Sequence, residues 1–165
     1  MTIIGRRLAL CLALCGLAAF LAACGDDTDA GAADYREMSP DEVCELVTVD
    51  EARDLMTDIT DESLTPTKET SVGLPACRYG SGEGKPYLKV SIHQSSQLEV
   101  GGDVVATTVA GQEVLQEDTG GSCSVSVPLD EVLYLLAIVE SWDPDKDTCP
   151  VARDAIAKAS PRLTE

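Results

Sequence analysis

The stretch that decides the fold is residues 87–93, YLKVSIH. Leu88, Val90 and Ile92 alternate with polar residues, and a period of two puts alternate side chains on one face of a β-strand. His93, the single histidine of the chain, then lies on the polar face. We therefore expect a strand with one buried face, and a solvated His93 rather than a general base.

Further strands are predicted on both sides of this one. Residues 77–79 form a short strand, and the glycine-rich residues 80–86 connect it to YLKVSIH as a hairpin. Downstream, residues 104–117 and 123–127 each follow a Gly-Gly break. Residues 132–139 are apolar on both faces, which is typical of a central, doubly covered strand. Together these segments predict an antiparallel sheet of four or five strands.

Helix signals flank the predicted strands. Ser39 and Thr48 are each followed by glutamate three residues later, the capping-box pattern of a helix start, so two short helices or one broken helix are expected over residues 40–59. Residues 60–75 have no periodicity and are predicted to be a loop. A last helix is expected to begin near Thr148. Helices before and after a run of strands indicate an α+β fold, with the helices packed on the sheet.

The first 25 residues have the pattern of a bacterial lipoprotein signal. Two arginines precede an uncharged, mostly apolar run, residues 8–25. Residues 21–24, LAAC, match the lipobox, in which the cysteine thiol is acylated and the chain is cleaved before it. We predict a signal peptide over residues 1–23 and lipidation at Cys24, because the position of the match at the end of an apolar run makes it specific.

The mature chain is predicted to have two parts. Residues 24–38 hold the lipidated cysteine and a Gly/Ala/Asp-rich stretch, which predicts a flexible acidic linker with an r.m.s. reach of roughly 20 Å. Residues 39–165 are predicted to be a single domain. A lipid anchor would hold this domain at the outer face of the cell membrane, in the cell envelope.

The charge of the chain excludes one class of partner. The sequence has 29 acidic and 12 basic residues and a formal net charge of −17. Affinity for nucleic acid depends on a high density of cationic side chains, so no nucleic-acid partner is expected. The acidic surface suits solubility and repulsion from anionic lipid headgroups.

Four cysteines remain for the domain after export: Cys44, Cys77, Cys123 and Cys149. They contain no Cys-x-x-Cys pair, which argues against zinc, and an oxidising compartment favours two disulfides. Three pairings are open from the sequence. We favour Cys44–Cys149, which would join two helix starts, and Cys77–Cys123, which would join two strands.

Five short motifs in order resemble one family. They are CELVT at 44–48, Cys-x-Tyr at 77–79, Val-Ala-Gly at 109–111, Cys-x-Val at 123–125, and Cys149 opening an alanine-rich helix. With the lipobox ahead of them, the set resembles the actinobacterial lipoproteins of domain-of-unknown-function family 3558. The resemblance spans nearly the whole mature chain. It implies an exported, lipid-anchored domain with no assigned catalytic residues.

One loop is a weak metal candidate. Asp143, Asp145 and Asp147 occupy alternate positions, and Asp154 falls at the twelfth place of a calcium-loop template. Thr148 stands where that template has glycine, so a turn that caps the following helix is favoured over a calcium site. No cofactor is expected.

These features predict a non-catalytic binding module of an envelope lipoprotein, with a small molecule or a protein as its ligand. An adaptor that binds a cationic protein partner and a hydrolase that uses scattered carboxylates are the alternatives. A deep apolar pocket would favour the ligand binder, an exposed apolar patch the adaptor, and converging carboxylates with raised pKa values the enzyme. Trp142 and Tyr134 are expected to pack in the core or at the sheet edge.

Overall fold

The computed structural model describes residues 34–82, 86–94 and 104–163. The predicted signal peptide, Cys24 and most of the predicted linker lie outside these ranges. Of the linker, residues 34–38 are described and form a turn, in which the Glu37 amide donates to the Asp34 carbonyl at 2.9 Å. Tyr35 and Met38 of this turn pack against the hydrophobic core.

The described residues form three helices, and a local sequence signal marks the start of each. α1 spans Pro40–Leu46 and α2 spans Val49–Leu55, and both start with a complete capping box, at Ser39 and Thr48. The N-terminal segment therefore contains two short helices rather than one broken helix. The C-terminal helix α3 spans Cys149–Arg162, as the proline at its first turn predicts.

The strands form one antiparallel sheet, and the α+β class is confirmed. In the part of the chain that the structure describes, the sheet has seven strands rather than the four or five expected, in the order β1-β2-β3-β7-β6-β5-β4. The strand bounds are β1 Thr65–Ser71, β2 Leu74–Gly80, β3 Tyr87–Gln94, β4 Val104–Val109, β5 Gln112–Asp118, β6 Ser122–Pro128 and β7 Leu133–Glu140.

The extra strands arise in two places. β1 occupies part of the predicted loop 60–75; its sequence TPTKETS has no apolar alternation because it is an edge strand whose side chains are mostly exposed. Residues 104–117 form two strands, β4 and β5, joined by a tight turn at Ala110 and Gly111. Both turn residues have positive φ, 50° and 85°, which a two-residue hairpin turn requires.

The core lies between one face of the sheet and the helices. Paired residues on neighbouring strands share a face, and the row Tyr79, Leu88, Val139 and Cys123 is fully buried. We call this the core face and the opposite one the outer face. α1 packs on β1, β2 and β3, while α3 packs on β6 and β7.

Several side chains on the outer face are buried or half-buried rather than exposed to solvent. Ser91, Leu136 and Ser126 form one row across β3, β7 and β6 and are at most 4% exposed. Tyr134 and Ile138 on the same face of β7 are half-buried. β7 is the central strand of the sheet, as predicted.

Four carbonyls at the end of α1 accept hydrogen bonds from two distant side chains. A helix leaves its last four carbonyls without intrahelical partners. The Tyr79 hydroxyl, on β2, donates to the carbonyls of Cys44, at 2.9 Å, and Val47. The Arg162 guanidinium, on α3, donates to the carbonyls of Glu45 and Leu46 at 3.3 and 2.8 Å. The end of α1 is thus fixed to both the sheet and α3.

The described residues contain two disulfides, and the favoured pairing is wrong. Cys44 of α1 bonds Cys77 of β2, and Cys123 of β6 bonds Cys149 of α3, each with Cα atoms 5.0 Å apart. β2 and β6 are separated by β3 and β7, and three strand spacings of about 4.8 Å place Cys77 and Cys123 roughly 14 Å apart, beyond disulfide reach. Each disulfide instead joins a helix to the strand beneath it.

Candidate functional site

The calcium candidates do not converge. Asp143 Oδ1 accepts from the Asp145 amide at 3.0 Å, and Asp147 Oδ1 accepts from the Cys149 amide at 3.2 Å. These carboxylates therefore cap backbone groups of the turn before α3. Within the described ranges, no group of three His, Cys, Asp or Glu side chains is close enough to hold a metal ion.

The structure also places His93 and Trp142, for which the sequence predicted a solvated position and a packed position. His93 is half-buried on the outer face of β3, beside Lys89 and Ser91 along the strand. Trp142 is 65% exposed in the loop after β7, so the expectation that it packs in the core or at the sheet edge is wrong. The Ser141 amide donates to the Gly121 carbonyl at 2.7 Å, one residue beyond the ladder between β6 and β7.

Of the carboxyl groups that the structure describes, Glu42, Glu51 and Asp130 have pKa values that are shifted downward. The Ser39 backbone and hydroxyl lower the pKa of Glu42, and amides of the turn before β7 lower that of Asp130. The Arg162 guanidinium, with the Thr48 amide, lowers the pKa of Glu51 to about 2. A general acid needs a raised pKa. These three groups are therefore suited to capping and ion pairing.

Charged side chains cluster on the outer face where β2, β3 and β7 meet. The Arg78 guanidinium lies 4.4 Å from the ring centroid of Tyr87. Burial, and a hydrogen bond with Glu140, raise the pKa of Tyr87 to about 12. Lys89 pairs with Glu69 at 3.5 Å. Since these groups contact each other, the cluster serves to join neighbouring strands.

The β4 edge of the sheet differs from the rest of the described surface. Among the seven described strands β4 lies at one end, and its sequence VVATTV has no charge and no proline. Val104 and Val105 are 51% and 57% exposed, and Ala106 and Thr108 are also exposed. β-Branched residues are favoured in strands, so this segment is held extended while its side chains face solvent.

One residue of β5 extends this surface. Leu115 pairs with Ala106 and lies on the outer face beside it, 37% exposed. We define the edge patch as Val104, Ala106 and Leu115 on the outer face, together with Val105 on the core face of the same edge strand. At its other end β4 is fixed to the body of the domain, because Val109 is 7% exposed within the core and α3 packs against the strand.

The opposite edge, β1, carries features that prevent strand pairing. Pro66 has no amide hydrogen to donate, and Lys68 forms an ion pair with Asp41 of α1. Glu69 adds a second charge, held by Lys89. Proline and charged side chains are the usual protection of an edge strand against another chain. The two edges are therefore unequal, and β4 is the one that a further strand could join.

An edge strand of this kind can bind by strand addition. Its outward N–H and C=O groups are able to form a ladder with an extended segment of another chain, and adjacent apolar side chains add contact area. The sequence analysis did not identify this site. The signal was present in VVATTV, an uncharged and mostly β-branched run that follows Gly101-Gly102-Asp103 and precedes an Ala-Gly turn, but its place at the edge depends on the strand order.

No described helix is long and apolar enough to cross a membrane. Comparison with known proteins adds no relative: no family model, no curated protein and no solved structure matches the chain.

Proposed function

We propose that the chain is an exported cell-envelope lipoprotein, acylated at Cys24 and held at the outer face of the cell membrane. Its domain, residues 39–165, is a non-catalytic module that binds a protein partner. The lipobox at residues 21–24 supports the anchor. The resemblance to domain-of-unknown-function family 3558 belongs to the same proposal.

The observation that carries the binding function is the edge patch. It combines an edge strand whose described residues include no proline and no charge with four exposed apolar side chains, and exposed apolar surface marks protein interaction sites. Two disulfides and the contacts of Tyr79 and Arg162 hold the helices on the sheet, so the edge is presented by a rigid domain. A pre-organised edge loses little entropy when a partner strand binds.

A cationic partner is the second candidate. The chain has a net charge of −17. Such a charge attracts a basic protein over distances up to about a Debye length, roughly 8 Å at physiological salt. In this version of the function, acidic residues steer the encounter and the edge patch provides the contact.

Site-specific photocrosslinking tests the binding function. The full chain is produced in a bacterial host that lipidates exported proteins, with a benzophenone amino acid at Val105 or, as the matched control, at Thr67 of β1. Both positions are exposed on edge strands. Irradiation of cells should give a discrete crosslinked product from position 105 and none from 67. Equal products at both positions, or none at 105, would remove the support for the edge patch.

Acylation tests the anchor separately. Cys24→Ala should abolish both incorporation of labelled palmitate and cleavage of the signal peptide, because the thiol is the acylated group. Cys15→Ala changes a cysteine of the same apolar run and should leave both unchanged. Labelled, cleaved Cys24→Ala protein would contradict the anchor.

A further inference from the structure

We infer that the occupant of the edge patch is a second copy of this chain, and that two domains pair through β4 in antiparallel orientation to form one continuous sheet. This inference rests on the proposed binding function and names its partner. It follows from the sequence of β4, from the unequal edges and from the distances between acidic side chains.

The sequence of β4 is compatible with pairing to itself. In an antiparallel pair related by a two-fold axis through the sheet, opposed residues share a face. A register centred on Ala106 opposes Ala106 to its own copy, Val104 to Thr108 and Val105 to Thr107. Every opposed pair is uncharged. No like charges therefore meet across the axis, and each exposed valine faces a β-branched threonine, a favourable cross-strand neighbour.

The acidic character of the chain does not prevent this pairing. Among the described residues, the carboxylates nearest to the axis are on β5, where Glu113 pairs with Thr108 and Glu117 pairs with Val104; Asp103, which precedes β4, lies outside the described residues. In the dimer, Glu113 of one copy and Glu117 of the other are three strand spacings apart, roughly 14 Å. This distance exceeds the Debye length of about 8 Å at physiological salt. The repulsion is screened, whereas the strand contacts are direct.

The asymmetry of the edges limits the assembly to two copies. β1 carries Pro66, Lys68 and Glu69, so the free ends of the extended sheet cannot accept a further chain by the same means. Pairing of β4 with β4 is isologous and closes with two-fold symmetry. A single pair of short strands is a small interface, so we expect a reversible dimer with a dissociation constant of about 10 μM to 1 mM.

A cysteine at the two-fold axis tests the arrangement. Opposed residues in an antiparallel pair have Cα atoms about 4.5–5.5 Å apart, which is within disulfide range. Ala106→Cys in the full lipidated chain should therefore form a covalent dimer under oxidising conditions, at least about tenfold more than Thr67→Cys, its control on the outer face of the opposite edge. Equal dimer from both variants would overturn the inference, since it would reflect a reactive extra thiol.

Variants with opposite charges at position 106 distinguish a variant that misfolds from one that folds but no longer pairs. Ala106→Lys places two cations against each other at the axis, and Ala106→Glu places two anions there, so each variant alone should lose the self-crosslink from the benzophenone at position 105. Co-expression of the two should restore a crosslink between them. Loss without restoration would overturn the pairing.

The mass of the position-105 crosslink distinguishes the two levels of the proposal. A product of twice the mass of the chain, containing only its own peptides, supports the second copy. A product that contains a different protein leaves the binding function in place and overturns the second copy. Absence of any product specific to position 105 removes both.

Discussion

Tyr79 joins the end of α1 to the sheet through its hydroxyl group. The side chain is fully buried, and burial together with the charge of Glu51 raises its pKa, so the hydroxyl keeps its proton. The proton is needed because the hydroxyl donates to backbone carbonyls of Cys44 and Val47. Without it, buried acceptors would lose a partner.

Tyr79→Phe should lower the free energy of unfolding by about 1–3 kcal/mol, because a buried acceptor left unpaired loses its hydration without compensation. Urea unfolding measures the change. Tyr134→Phe is the control, since the described residues offer that hydroxyl no hydrogen bond, and it should stay within about 0.5 kcal/mol of the parent protein. A similar small effect of Tyr79→Phe would show that the hydroxyl does not hold the end of α1.

At the scale of elements, each disulfide fixes one helix to the strand beneath it. Cys44–Cys77 closes a separation of 33 residues and Cys123–Cys149 one of 26. Loop-closure entropy depends only weakly on length, so the two bonds should stabilise the domain to a similar degree.

Replacing either cysteine pair by alanine should lower the free energy of unfolding by about 2–4 kcal/mol, and the two double variants should differ little from each other. Peptide mapping of the unreduced protein should yield a peptide pair with Cys44 and Cys77 and another with Cys123 and Cys149. A linked peptide that contains Cys44 and Cys149 would contradict the packing of α1 on β2.

Some helices and strands could be predicted from the sequence, and others could not. The starts of α1 and α2 were predictable because Ser39 and Thr48 act on amides only three residues away. The buried face of β3 was predictable from its alternation. β1 was not, since an edge strand exposed along most of its length has no pattern to detect.

The strand order could not be predicted from the sequence either, because it is set by contacts between distant segments. β3 pairs with β7 rather than with the next strand in the chain, and nothing near Gln94 specifies that partner. The disulfide pairing and the edge position of β4 both depend on this order. The candidate site therefore could not be assigned from VVATTV alone, because the sequence of a strand does not specify its position in the sheet.

At the scale of the whole molecule, Glu51 connects α2 with α3. Its carboxylate forms a bidentate pair with Arg162, both contacts being 2.8 Å, and Lys158 lies 3.7 Å away. The folded pKa of about 2 is below the ordinary value of 4.5. The ion pair therefore contributes stability at pH values above about 4.5, and this contribution is lost as pH falls towards 2.

Glu51→Gln should lower the free energy of unfolding at pH 7 by about 1–2 kcal/mol, a range that allows for partial solvent screening of the pair. The difference from the parent protein should shrink below pH 4.5 and nearly vanish at pH 2. Urea unfolding across pH measures it, with Glu131→Gln, an exposed carboxylate in the turn before β7, as the control. A deficit that is independent of pH would show that the charge of Glu51 is not its source.

The strand order has a consequence for the covalent framework of the molecule. Both ends of one disulfide precede residue 78 and both ends of the other follow residue 122. A single peptide-bond break between residues 94 and 104 would therefore leave two fragments with no covalent link, even with every sulfur oxidised. They would be held together noncovalently, by the ladder between β3 and β7, by the shared core and by the contacts of α3 with α1 and α2 through Arg162 and Lys158. Each disulfide stabilises one fragment, while the association of the two fragments depends on noncovalent contacts.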